Sequence, residues 1–228
     1  MIDANKFLEQ FMGGKSGAGS GAGNAPKSGG GFVKGAVAGG VLGLLVGNKK
    51  VRKMGGGMLA YGGAAAAGAL AFKAYQNWQQ GKQVATAPVA TEQDMAQVDA
   101  RFLPQQASAT ASAGNFSLTL VMAMIAAAKA DGHIDAKEQT HIFEQVEQMS
   151  LDSESKGFVF DALRQPADLA QLASGVQGIE QAAEVYLVSR SVLDVDHPAE
   201  RAYLQALAHR LDLPADLVAH LDHQVTGE

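Results

Sequence analysis

Between Lys129 and Glu138 the chain reads KADGHIDAKE, a spacing of carboxylates around a glycine that suits calcium chemistry. An EF-hand loop sets oxygen ligands at its positions 1, 3, 5, 7 and 9, a glycine at 6 and a bidentate glutamate at 12. On that ruler Asp131 is position 5, Gly132 position 6, Asp135 position 9 and Glu138 position 12. Positions 1 and 3 fall on Ala127 and Lys129, an apolar side chain and a cation. The stretch is half of a site, and the missing carboxylates must come from elsewhere in the chain.

A second acidic turn has the same layout. ADGHIDAKEQTHIFEQVEQM and LDVDHPAERAYLQALAHRL each place an acidic loop and a glutamate ahead of an apolar helix. Matching Glu138 to Glu200 aligns Ile142 with Leu204 and Met149 with Leu211, and leaves the second loop one residue shorter. Helix capping explains part of this pattern. Asp135-Ala-Lys-Glu138 is a capping box, and His197-Pro198-Ala199-Glu200 puts proline at N1 and an acid at N3. Caps are worth about 1 kcal/mol each and account for Asp135, Glu138 and Glu200 without a metal. They do not account for Asp131 and Asp194, which fall at helix C-termini, where the dipole disfavours negative charge. An acid placed against the dipole in both copies points to a divalent cation. Oxygen donors favour Ca²⁺, Mg²⁺ or Mn²⁺.

Other chemistries find less support. Gly14-Lys15-Ser16 ends like a phosphate-binding loop, but Glu9 stands where the first glycine belongs and no strand precedes it. The six histidines include His220 and His223, three apart, and His133 and His197 beside the acidic loops. No HExxH spacing exists, so a zinc hydrolase is not indicated and solvated surface histidines are expected. No nucleophile–His–acid set can be read from spacing, and the expectation is a protein that is not an enzyme. Cysteine is absent, which removes disulfides and thiolate metal sites.

These loops need elements to hold them. From Asn115 onward the apolar residues recur with helical period. Leu120, Val121, Met124, Ile125 and Ala128 mark a first helix, and Ile142, Phe143, Val146 and Met149 a second. Phe158 to Leu163 mark a third, closed by Pro166, and Leu169 and Leu172 a fourth. Ile179 to Leu193, Leu204 to Leu211, and Leu217 to Leu221 mark three more. Residues 115–228 are therefore expected to form one all-α bundle of seven short amphipathic helices.

The front of the chain differs. Residues 1–82 carry ten Lys and Arg against Asp3 and Glu9, a balance of +8, while residues 83–228 carry eight against twenty-one acids, or −13. The acidic bundle argues against nucleic acid. Residues 1–31 are expected to be flexible, because GGKSGAGSGAGNAPKSGGG cannot bury a core. Residues 32–75 are apolar apart from Lys34, the cluster Lys49, Lys50, Arg52, Lys53, and Lys73. Met54 to Phe72 is free of charge and about long enough to cross a bilayer. Gly35, Gly39, Gly43 and Gly47 recur every four residues, as do Ala60, Ala64 and Gly68, spacings that let membrane helices approach closely. Tyr75 and Trp78 stand where interfacial aromatics are expected. One span and a helical hairpin both fit. Lys49 to Lys53 should stay cytoplasmic, which places the bundle on the periplasmic side. Residues 76–114, rich in Ala, Gln, Thr and Ser, read as a linker with a short helix around Glu92 to Phe102.

ADGHIDAKE together with DVDHPAE resembles the tellurite-resistance TerB-like domain, and the Gly-rich segment ahead of it resembles the YebE-like bacterial inner-membrane proteins. The resemblance covers about residues 30–228. It implies a seven-helix fold in which two acidic loops converge on a cation, with Asp131 and Glu138 from the first loop and Asp194 and Glu200 from the second. Asp135 and Asp196 are lesser candidates. The second loop departs from the first, with Val195 in place of Gly132, so its backbone is not expected to copy the first closely. The function expected is a membrane-anchored, non-enzymatic acidic module. It binds a divalent cation, a protein partner, or both, in an envelope or stress response. The alternative is a structural membrane-assembly protein that homo-oligomerises through its glycine-spaced helices and has no metal site.

Overall fold

A computed structural model describes residues 2–12, 63–95, 97–102, 111–130, 152–193, 195 and 197–226. Every element among them is helical, as the periodicity predicts. Eight helices of more than one turn follow in order: α1 Ala4–Met12, α2 Gly63–Gln79, α3 Ala111–Ala128, α4 Ser153–Arg164, α5 Leu169–Ser174, α6 Gly178–Val192, α7 Pro198–Arg210 and α8 Ala215–Thr226. The second helix expected in the bundle, around Ile142 to Met149, lies outside the described residues.

The hub is α6. Eight consecutive residues, Ala182 to Ser189, are buried, so this helix has no wet face along that run. A helix buried all round must have neighbours on every side. Here α3, α2, α8 and α7 surround it. Local sequence sets the ends of the outer helices. Asp152 caps α4 by accepting from the Ser155 N–H at 2.8 Å, and Asp168 caps α5 by accepting from Ala170 and Gln171. The Ser155 contacts hold the Asp152 carboxyl below its usual range. Gly175 ends α5 where only a glycine fits, because a Cβ there would meet Thr119 Oγ1 of α3 at 2.4 Å.

Two segments differ from the sequence reading. Residues 4–12 are not part of a flexible leader. Asp3 caps α1 by accepting from the Lys6 N–H, and Phe7, Leu8 and Phe11 are buried on α3 and α2. The reason is the spacing of Ala4, Phe7, Leu8 and Phe11, a complete amphipathic stripe ahead of the glycine run. Phe7 meets Phe158 of α4 edge-on at 5.8 Å, and Ser117 Oγ donates to Asn5 Oδ1 at 2.6 Å.

The second is α2. The sequence places residues up to 75 in the membrane segment, yet Ala66, Ala67, Ala69, Leu70, Ala71 and Ala74 are buried against the bundle, with α8 and α6 as the main neighbours. Small side chains let two helices approach closely in water as well as in lipid, so one stripe serves either setting. Tyr75 and Trp78, expected at a lipid interface, form an aromatic cluster with Phe72 and Phe102. No helix among the described residues is long and apolar enough to cross a membrane.

Residues 82–102 are tied down rather than loose. A 3₁₀ turn at Val84–Thr86, one helical turn at Glu92–Met95 and a 3₁₀ turn at Ala100–Phe102 carry the chain across the bundle. Gln224 of α8 accepts from the Ala90 N–H at 2.8 Å and donates to the Pro88 carbonyl, which Asn77 of α2 also reaches. His223 Nε2 lies 2.8 Å from the Ala87 carbonyl. Lys73 pairs with Asp94 at 2.7 Å and holds that carboxyl down to about 2.

Candidate functional site

The second acidic loop joins α6 to α7. Pro198 sits at N1 of α7, His197 Nδ1 accepts from the Ala199 N–H at 3.2 Å, and the Glu200 carboxylate accepts from the His197 N–H. The proline at N1 and acid at N3 read from the sequence are present as a full capping box, and it engages Glu200, one of the four main candidate ligands. Glu200 is only 7% exposed.

Between the two helices the backbone is strained. Val195 adopts φ 60°, the left-handed region that glycine enters freely and a β-branched residue avoids. The sequence predicts that this loop does not copy the first one closely; Gly132 lies outside the described residues, so the two turns are not compared. Conformations of this kind cost about 1–3 kcal/mol and persist where the surroundings impose them. Among the described residues, two guanidinium groups hold this turn. Arg190 donates from Nη1 to the Leu193 carbonyl at 2.9 Å, and Arg201 donates from Nη1 to the Val195 carbonyl at 2.9 Å. A cation does stand at the C-terminus of α6, and it is a side chain of the same helix. The dipole argument that pointed to a metal beside Asp194 is met in part by Arg190.

Arg190 is fixed in turn. Its Nε donates to Asp222 Oδ1 of α8 at 3.1 Å, and the Tyr186 hydroxyl donates to the same oxygen at 3.1 Å. Burial raises the Asp222 carboxyl, with Arg190 opposing, and burial raises the Tyr186 hydroxyl well above its usual range. The sequence reading missed this cluster. The signal was the four-residue spacing of Tyr186 and Arg190, which puts both on one helical face.

The first loop is described only at its entrance. Lys129, which fills the position-3 slot of the calcium ruler, extends its ammonium to the carbonyls of Ala162 and Gln165 at the end of α4. Burial lowers its pKa. Asp131, Asp135 and Glu138 lie outside the described residues, as do Asp194 and Asp196. The convergence of the two loops thus falls outside them as well. Among the described residues no three His, Asp or Glu side chains come together as a metal site. Of the small residues expected to pack membrane helices, Gly35, Gly39, Gly43, Gly47 and Ala60 lie outside the described residues, and Ala64 is described only as part of the α2 backbone. Gly68 is buried in α2.

Three further buried polar side chains escaped the sequence reading. His220 and His223, expected on the surface, are 3% and 6% exposed and face the bundle from α8. Burial lowers the His220 imidazole, and its Nδ1 has no partner among the described residues. Glu184, in the middle of α6, is fully buried, and neither carboxyl oxygen has a hydrogen-bond partner among the described residues. Burial holds that carboxyl well above the usual range, which favours its protonated form.

Comparison with known proteins names a family. A family described as "Protein of unknown function (DUF533)" matches residues 31–225. A protein of Yersinia enterocolitica, described as an uncharacterized protein in the ampR 5′ region, is 42% identical over 98 residues, which cover 43% of this chain and 70% of that protein. No solved structure matches. Since the family match takes in nearly all of the bundle and the segment ahead of it, the chain belongs to the DUF533 family.

Proposed function

We propose that this chain is a non-enzymatic helical module, tethered at the bacterial inner membrane through the apolar residues that precede α2. Its second acidic loop is the working end, and Ca²⁺, Mg²⁺ or Mn²⁺, with or without a protein partner, is its ligand. The observation that carries this reading is Val195, held at φ 60° between two aspartates. Arg190 and Arg201 hold the Leu193 and Val195 carbonyls, so a metal at this turn would draw on the carboxylates of Asp194 and Asp196. Asp131 and Glu138 would complete the set from the first loop. Glu200, tied into the cap, contributes an outer hydrogen bond more readily than a bond to metal. The resemblance to TerB-like and YebE-like proteins supports a role in envelope or stress physiology and a seven-helix bundle for residues 115–228. The alternative, assembly through glycine-spaced helices, draws on Gly68, a residue α2 buries in its own bundle.

The test is a thermal melt of the full chain in mild detergent with millimolar Ca²⁺, Mg²⁺ and Mn²⁺. The native chain should melt higher with at least one of these ions, and Asp194→Asn and Asp131→Asn should each remove the gain. Equal melting with and without all three ions would remove the cation from this reading.

A further inference from the structure

The strap that follows α2 is held from one side. Lys82, Gln83, Ala85, Thr86, Pro88 and Thr91 are exposed, and of residues 82–91 only Ala87 and Ala90 are buried. With so little apolar surface covered, hydrogen bonds from α2 and α8 do most of the holding. Three buried side chains supply them. Asn77 Nδ2 and Gln224 Nε2 donate to the Pro88 carbonyl at 3.0 and 3.1 Å. Gln224 Oε1 accepts from the Ala90 N–H at 2.8 Å, and His223 Nε2 donates to the Ala87 carbonyl at 2.8 Å. A segment with few buried apolar contacts opens at lower cost than the body it lies on.

One turn earlier on α8, His220 meets the start of the strap at the Lys82 backbone. Its Nδ1 is buried and has no hydrogen-bond partner. With the N–H on the other ring nitrogen, the neutral imidazole leaves Nδ1 as a bare acceptor. A second proton would make it a buried donor with nothing to receive it, which is costly until water reaches the ring. The bond from His223 survives a proton, because Nε2 is already the donor.

The charged groups on the elements around α8 are committed elsewhere. On α2, Lys73 is paired with Asp94, and the Tyr75 hydroxyl accepts from Gln79. On α6, Glu180 pairs with Arg101, Tyr186 and Arg190 share Asp222, and Glu184 has no hydrogen-bond partner. On the strap, the Lys82 ammonium donates to Asn77 Oδ1 at 3.2 Å. Burial is the largest influence on His220 and lowers its pKa. The Lys82 backbone opposes it, His223 adds to it, and Asp216 opposes it, without reversing the direction.

We infer that residues 82–91 are an acid-released latch: a proton on His220 frees the strap from α8 while the helical body stays folded. This device stands apart from the membrane and cation readings above. Its release uncovers Asn77, His223 and Gln224 together with the face of α2 and α8 that they line.

Hydrogen–deuterium exchange of the full chain in mild detergent tests this, at about pH 7.5 and about pH 5.5, with rates corrected for the intrinsic pH dependence of amide exchange. Residues 83–91 report the strap and residues 198–210 report the body. The ordinary imidazole value of 6.5 lies between the two conditions. Strap protection should therefore fall by up to about tenfold on acidification, the limit for uptake of one proton, while the protection of α7 stays unchanged. Gln224→Ala should lower strap protection at both pH values and keep the acid response, and His220→Gln should abolish that response. Equal strap protection at both pH values in the native chain would overturn the inference. So would a fall in α7 that keeps step with the strap, or an acid response that His220→Gln retains. The native chain supplies one further check that needs no variant: followed by NMR, the His220 ring should titrate below 6.5. Titration at or above that value would overturn the inference by itself.

Discussion

Replacing Glu184 should stabilise this protein, and by an amount that grows with pH. The carboxyl is fully buried in α6, has no hydrogen-bond partner among the described residues, and is pushed by burial well above its usual range. The folded chain therefore keeps a proton that the unfolded chain releases once pH exceeds the ordinary carboxylate value of 4.5. Folding stability is complete below that value and declines as pH rises toward the raised one, at about 1.4 kcal/mol per pH unit. Between about pH 5.5 and pH 7.5 the native chain should lose stability relative to Glu184→Gln, which has no proton to lose, with the limiting slope setting a ceiling of about 3 kcal/mol. Glutamine still buries a polar group without a partner, a cost of about 1–3 kcal/mol at any pH. Glu184→Met, close in volume, removes both penalties and should be the most stable of the three at pH 7.5. Urea unfolding of the three full-length chains in mild detergent, at both pH values, measures this directly. Parallel pH profiles for the native chain and Glu184→Gln would refute the argument, because they would mean that Glu184 ionises alike in the folded and unfolded states.

Three other outcomes follow from the geometry. Gly175→Ala should cost about 1–3 kcal/mol, because the new Cβ meets Thr119 Oγ1. A denaturation cycle with Thr119→Ala should recover part of that cost, and a purely additive cycle would contradict the contact. At the second loop, Val195→Gly should be more stable than Val195→Ala by about 1 kcal/mol, since only glycine enters φ 60° without strain. Equal melting temperatures for the two variants would count against strain there. Burial depresses the His220 imidazole, so the unfolded chain binds the extra proton. Stability from this group should be complete above the ordinary value of 6.5 and lost as pH falls below it. Melting of His220→Gln against the native chain should show this acid limb flattened, and an unchanged limb would show that the histidine does not cause it.

The sequence was most legible where physics is local. The apolar periodicity from Leu120 to Leu221 gave six helices in their observed places, and Pro166, Gly175 and Pro198 marked ends that the structure keeps. The cap at His197–Glu200 was legible for the same reason, since N-cap, N1 and N3 lie within four residues. What was not legible depended on which surface a helix meets. Ala66 to Ala74 have the small side chains that suit either a lipid-buried helix pair or a water-soluble bundle, and only the presence of α8 decides between them. His220 and His223 read as surface residues, and Glu184 drew no reading, because nothing in the chain beside them announces burial. The left-handed turn at Val195 was not legible, because what holds it lies in Arg201, six residues away, and in Arg190 at the other end of the loop. The helix at Ala4–Met12 was legible in its apolar stripe but hidden by the glycine run that follows.

The tie between Gln224 and Ala90 closes the molecule across 134 residues of chain. During synthesis, α2 and the strap after it leave the ribosome long before α8 exists to cover them. At about 5–20 residues per second, that delay is about 7–27 s. For that interval the alanine-rich face of α2 is continuous with the apolar residues ahead of it, and the nascent chain displays the full uncharged run that the finished fold divides. The first apolar surface it meets is therefore chosen by timing: a ribosome working at the membrane offers lipid before it offers α8.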